Sequence, residues 1–487
     1  MAIPPVVDAL TNLSNESSAV TKINQNAQRA ADAIAKTLST SDATQNSMNI
    51  PLDMNGQRIL NLPDPVSGND VLRFKDVDQF VRLPGPRGPQ GFPGPGGPFP
   101  AGVVEATEFG CNAGNTAADN TRAINAAFAA LLARYGRGSV LLPGGGVHFN
   151  GPIVIPGVAM GIRGASGGAS GTVLINEAPG TDGIVLSKQS QFIQDLGFDL
   201  LTPAGPGDAG STIVCTASES YINNIVVYKS YITISYRGVS QAIRTTQHYL
   251  NNLTCYQFYQ AGIFCSWCND IFINNIIFIT SRGDDAQSGT LRLTELCEAI
   301  TVCNADFVGG KYGLITDAAN FVGSQRPAEC RFTNVYFDSH GSGSRINKSF
   351  GLTFIGCWFS GAQPSDLASL EITNSYSTKF IGTDFKLGGG NGCNVFATCR
   401  DTTFVGCAFA NNGQHKASSN GLDIAVGTQR FTVMNCTGNN TSVQSGQQTR
   451  DIAVNASCSY YTIAFNMMSA IVEADTTGTQ RYVANNW

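Results

Sequence analysis

From residue 191 onward one short pattern keeps returning: an apolar residue, a variable one, often Asn or Gly, then alternating apolar positions. Its copies begin at Ile193, Ile222, Leu250, Ile273, Val302, Phe332, Phe354, Phe380, Phe404, Val433 and Ile463, a mean period of about 27 residues. A unit this short cannot bury its own apolar face, so a period in this range demands stacking of like units into a solenoid. Alternation without a helical period makes the units strands, and no leucine scaffold of the leucine-rich kind is present. The predicted class is mainly β, a right-handed parallel β-helix over 101–487.

The motif assigns directions to side chains. Asn or Gly at its third position suits a left-handed backbone bend and side-chain ladders between coils. Positions four and six then point inward. They stack Leu196, Ile225, Leu253 and Ile276, followed by Phe278, Phe307, Phe337, Phe359, Phe385 and Phe409, as core and not as a binding box. Positions five and seven point out. Down the coils that outer face reads Val226/Tyr228, Thr254/Tyr256, Ile277/Ile279, Asp306/Val308, Tyr336/Asp338, Trp358/Ser360, Asp384/Lys386 and Ala408/Ala410.

Aromatic faces beside carboxylates are what a sugar groove needs. Tyr336 and Trp358 are predicted to stack on successive coils, flanked by Asp306, Asp338 and Asp384. Lys386, Tyr256 and Tyr228 extend the substrate-binding face. In ideal geometry Asp306 and Asp338 are about 8 Å apart at the backbone. That fits the roughly 6.5–9.5 Å between the carboxyls of an inverting glycosidase. Asp306 and Asp338 are the candidate acid and base, with Asp384 a third candidate carboxylate that positions sugar. The competing reading makes these acids solvated groups on a polar sheet. Asp284-Asp285 with Glu295 and Glu298 form a second acidic cluster, readable as catalytic, as a calcium site or as turn residues. No phosphate loop, Ser-His-Asp elbow or zinc-protease helix occurs, and no metal or cofactor is predicted.

Net charge is −5 and charged residues are only 13% of the chain, which gives no nucleic-acid footprint. No run of about 18 apolar residues exists, so no membrane insertion is expected. The start MAIPPVVDAL lacks the basic and apolar regions of a secretion signal. All 14 cysteines lie from Cys111 onward, and buried thiols of a protein made in a reducing cytoplasm account for them. Cys265 and Cys268 lack a second pair at zinc spacing.

The N-terminal part is different. Val6, Leu13, Val20, Ala27 and Ile34, with Leu10, Ser17, Asn24, Ala31 and Leu38, are the a and d positions of heptads, predicting a coiled-coil helix over 1–48. The alternative is an amphipathic helix folded on a globular core. Residues 83–100 hold five triplets with glycine first, from Gly85 to Phe99. Only glycine fits a triple-helix axis, so this period predicts a collagen-like segment rather than a flexible linker. Both point to a homotrimer.

Between them, in 49–82, LDMNGQRILNLPDPVSGNDVLRFKDVD resembles a short segment near the N-termini of bacteriophage tail fibres and tailspikes. Leu52, Asp53, Asn55, Gly56, Ile59, Leu62, Pro63 and Pro65 carry the likeness, which implies attachment to a phage tail or baseplate. Residues 103–155 resemble the entry of the pectate-lyase-like β-helix superfamily. The matching positions are Phe109-Gly110, Asp119, Thr121, Ala123-Ile124, Ala127, Val140-Leu141-Leu142-Pro143 and Gly145, with a capping helix predicted over about 119–135. His148 and the loop NAGNTAADN depart from that pattern. Asp338-Ser339-His340-Gly341 with Arg345-Ile346 is similar to polygalacturonase elements, but the spacing is too tight and Asn347 ends it differently. Together the resemblances imply a virion tail protein that binds a host surface glycan. Three functions stay open: a depolymerase, hydrolase before lyase; a non-catalytic adhesin; or a structural mount for another fibre.

Overall fold

The structure, a computed structural model, describes residues 16–37 and 102–486 apart from 166–170, 179, 206, 281–287, 318–324, 362–365, 440–447, 469 and 475–480. The chain divides into one unit within 1–93 and another within 94–487. In the first, helix α1 spans Glu16–Thr37 and leaves Val20 and Ile23 more than half exposed. The predicted segments 49–82 and 83–100, with all eight attachment residues, lie outside the described residues, as do Asp284 and Asp285. No described helix is long and apolar enough to cross a membrane.

The second unit opens with helix α2, Ala117–Tyr135. Thr116 caps it by accepting from the Asp119 amide at 3.2 Å, and Gly136 ends it in the left-handed conformation at φ 69°. Ile124, Phe128 and Leu131 are fully buried against the first coils. The helix thus covers the apolar end of the coil stack. Tyr135, at the end of the helix, is 53% exposed and lies across Gly102. The last turn has passed the rim of the core.

Beyond α2 the chain winds into two long parallel walls. The first joins 22 strands and contains every motif copy, while the second joins 13, each beside the strand one coil earlier. A third column of single parallel bridges runs Glu298–Ala328–Phe350–Tyr376–Arg400–Gln429–Ser459. The architecture is a parallel β-helix.

The third motif position explains the bend. Asp195, Asn224, Asn252, Asn275, Asn304, Asn334, Gly356, Gly382, Gly406, Asn435 and Phe465 all have φ between 52° and 63°. Glycine tolerates this region freely and Asn and Asp through their short polar side chains, so of these eleven Phe465 alone bears the full Cβ–carbonyl clash. The asparagines also bond between coils: Asn224 Nδ2 donates to Asp195 Oδ1 at 2.6 Å, and Asn334 Nδ2 to Asn304 Oδ1 at 2.9 Å. At position two Asn274 Nδ2 donates to Asn251 Oδ1 at 2.9 Å, and Asn251 Nδ2 to Asn223 Oδ1 at 3.0 Å. Nothing lies within 4 Å of a Cβ built on Gly382, so its constraint is backbone alone. Gly382→Val is therefore expected to lower stability by about 1–2 kcal/mol, and Gly382→Asn by much less, measured by urea unfolding.

Inside, the inward positions stack as the alternation predicts. Phe307, Phe337, Phe359, Phe385 and Phe409 form one file with centroids 4.7–5.5 Å apart. Phe332, Phe354, Phe380 and Phe404, at motif position one, form a parallel file at 4.6–5.0 Å. All 14 cysteines are free thiols, and all but the half-buried Cys303 are buried. Burial pushes the Cys111 thiol up to about 11 and Cys215 to about 12.

Two histidines are sealed in this core. His248 bonds through Nδ1 to Ser220 Oγ at 2.7 Å and through Nε2 to Thr245 Oγ1 at 2.6 Å. Burial lowers its pKa to about 3. Burial likewise lowers His340 to about 4, which also removes it from any surface catalytic role. The unfolded chain takes up these protons below about pH 6.5 and the fold does not, so stability falls as pH drops through that value. His248 alone is expected to remove about 2 kcal/mol between pH 7.5 and pH 5. Urea midpoints at the two pH values should differ less in His248→Gln than in the parent.

Candidate functional site

The outer column of the first wall is continuous in register. Val226 pairs with Thr254, Thr254 with Ile277, Ile277 with Asp306, Asp306 with Tyr336, Tyr336 with Trp358, and Trp358 with Asp384. The column two residues on pairs Val308 with Asp338 and Ser360 with Lys386. Asp306 and Asp338 are therefore diagonal neighbours on adjacent strands, two residues and one coil apart. Ala305 and Phe307 on either side of Asp306 are buried at 2% and 0%, so the coil at Val302 keeps its register and Asp306 faces out.

The two carboxylates differ in surroundings. Asp306 is half-buried, and burial first, then the nearby Asp338 charge, holds its carboxyl above the ordinary value. Asp338 accepts from Ser339 Oγ at 3.1 Å and makes a short bond with Ser360 Oγ. A carboxyl biased toward its protonated form beside a hydroxyl-bound carboxylate is the asymmetry that acid and base roles require. Asp384 is different: Lys386 Nζ lies 2.5 Å from its Oδ2. The ion pair occupies both residues with each other.

The expected stacking of Tyr336 on Trp358 is not found. Their rings meet edge to face, with centroids 5.8 Å apart and planes at 83°. Aromatic quadrupoles favour this arrangement over a face-to-face sandwich. Tyr336 is 39% exposed, while Trp358 is partly covered. A flat ring pair exists further up the wall, where Tyr228 and Tyr256 stack at 5.7 Å and 5°. In register Tyr256 precedes Asp338 by three coils, about 14 Å. The wall thus offers a flat aromatic step, two carboxylates and a second aromatic pair along one line.

The second acidic cluster does not assemble in the described residues. Glu295 accepts from Ser266 Oγ at 3.0 Å, and Glu298 pairs with Arg244 at 2.5 Å. Ser360, covered to 2%, contributes to the Asp338 site although the outer-face pattern alone gives it no role. Its register beside Asp338 is the signal that points to it.

No family model and no curated protein sequence matches this chain. Solved structures do. Tailspike protein 3 of bacteriophage CBA120 is similar with a TM-score of 0.58 at 15% identity, covering 79% of this chain and 61% of the tailspike. The A-module of mannuronan C-5 epimerase AlgE6 from Azotobacter vinelandii is similar with a TM-score of 0.50 at 12% identity, covering 78% of this chain and 99% of that module. At these identities the likeness is one of fold, the parallel β-helix.

Proposed function

We propose that this chain is a phage tailspike whose β-helix binds a host surface polysaccharide and hydrolyses it, with Asp306 as general acid and Asp338 as general base. The observation that carries the reading is the diagonal Asp306–Asp338 pair, one carboxyl held toward protonation and the other bound by hydroxyls. The β-helix likeness to a tailspike and to a polysaccharide-modifying epimerase supports it. Tyr336 and Trp358 border the pair, and Tyr228 and Tyr256 form an outlying sugar platform. Asp384 and Lys386 act as a neutral ion pair toward sugar hydroxyls, which leaves the acid–base chemistry to two carboxylates. The exposed Val20 of α1, a seam position of the heptads, fits a helix that packs on other copies, so the N-terminal part is read as a trimeric stalk attached to the virion tail through residues 52–65.

Catalysis asks only for groups that the wall supplies. A glycosidic oxygen at Asp306 takes its proton as the bond to the anomeric carbon breaks. Asp338 takes a proton from the water that attacks that carbon from the other face. The decisive test is to incubate the purified protein with polysaccharide from the host surface and to size the products. Shortened chains with new reducing ends support hydrolysis, and products with ultraviolet absorbance indicate elimination. Binding without shortening leaves an adhesin.

A further inference from the structure

Between the flat Tyr228–Tyr256 step and the carboxylates, the first wall changes character. Ile277 and Ile279 occupy the two outward positions of one coil and stay 41% and 37% exposed. Phe278 between them is fully buried, so alternation holds both isoleucines outward. Ile277 pairs in register with Thr254 on the coil above and with Asp306 on the coil below. On that lower coil Val308 is half-buried and pairs with Asp338. Along the two outer columns from Val226 to Lys386 the one cation is Lys386, and it is paired with Asp384.

We propose that the Ile277–Ile279 coil selects the sugar beside the cleaved bond, and that this sugar is uncharged and carries a methyl group, as a 6-deoxyhexose or an acetylated hexose does. The step deepens the cleavage reading and rests on its placing the glycan along this wall. Coils repeat every 4.8 Å or so, about the length of one sugar in a chain, so a glycan lying down the columns sets roughly one sugar on each coil. With Asp306 at the glycosidic oxygen, the neighbouring sugar toward Tyr256 lies on Ile277 and Ile279. Neither side chain offers it a donor or an acceptor. A hydroxymethyl group gains nothing there, whereas a methyl group leaves water for an apolar contact, which raises affinity about fourfold. Both isoleucines are branched at Cβ and stiff at χ1, so little freedom is lost on contact. An anionic sugar at the same place would meet the Asp306 and Asp338 carboxyls with Lys386 already paired, and like charges brought together suppress binding.

The test is methyl NMR of the full chain, labelled at the isoleucine δ1 carbons and titrated with pairs of sugars that differ at one group. The pairs are L-fucose with L-galactose, L-rhamnose with L-mannose, and N-acetylglucosamine with glucose. The Ile277 and Ile279 methyls are expected to shift about fourfold more with the methyl-bearing member of at least one pair. A preference in either of the first two pairs assigns a 6-deoxy sugar, and one confined to the third assigns an acetylated sugar. Ile277→Thr keeps the branch at Cβ on an exposed position, so the urea midpoint should hold while the preference read at Ile279 falls toward one. No shift with any methyl-bearing sugar, equal shifts within every pair, or an unchanged preference in Ile277→Thr would each overturn the proposal. So would a lower sedimentation coefficient in that variant, which would make this coil a contact between copies of the chain. Asp338→Asn should abolish cleavage and leave the shifts intact. Cleavage without the shifts would remove the methyl selection and leave the cleavage reading standing, so the two failures give different results.

Discussion

Asp338→Asn is expected to lower polysaccharide cleavage by about 10²–10⁴-fold while leaving the urea midpoint close to the parent's. The amide oxygen can still accept from Ser339 and Ser360, so the strand and its neighbours need not move. Only the capacity to take a proton is lost. Asp306→Asn should match it, because an amide cannot deliver the proton that Asp306 is placed to give. The pH profile carries the sign. Activity needs Asp306 protonated, so it declines as pH rises through the raised Asp306 value. Removing the Asp338 charge should bring Asp306 part of the way back toward ordinary carboxylate behaviour, since burial, the larger cause, remains. Carboxyl-carbon NMR of Asp306 in the two proteins reads this directly. Full activity in Asp338→Asn would remove the pair from the chemistry.

Much of the β-helix is legible in the sequence because the motif repeats the backbone problem as well as the apolar pattern. Asn or Gly at position three marks a left-handed bend at nine of the eleven copies, with Asp195 and Phe465 at the other two, and these bends fix which residues face in. The column from Ile277 to Asp384 follows from that alone. Ring orientation does not, since register sets where Tyr336 and Trp358 attach and quadrupoles set how they meet. The Asp384–Lys386 pair escapes the pattern for a related reason: alternation turns both toward sugar, and their spacing also lets them face each other. The column Ser235–Phe264–Arg292 on the second wall has no sequence signal. Its strands lack the motif, and the connection from Ile273 to Arg292 is longer than that from Leu250 to Phe264, so no constant offset lines up its residues.

Phe359→Ala is expected to cost about 3–5 kcal/mol, more than the loss of any bend glycine or surface ring along the solenoid. Its ring, 0% exposed, stacks on Phe337 at 4.7 Å and Phe385 at 5.5 Å along its own file, and meets Phe354 at 5.4 Å edge-on from the other. Truncation leaves a cavity between two files that neighbouring strands, bonded on both sides, cannot collapse to fill. In a stacked array each coil touches mainly the coils beside it, so the loss should be local before it is global. Amide exchange should rise first in the strands holding Phe337, Phe359 and Phe385, and little near α2. Trp358 and Ser360 flank Phe359 in the chain, so cleavage should fall with this core variant even where the fold persists. Tyr336→Ala, on the exposed face one coil away, should do the reverse: lose sugar affinity with little change in unfolding. Equal exchange along the whole solenoid in Phe359→Ala would mean that the coils unfold as one body, and the local coupling between core and site would be wrong.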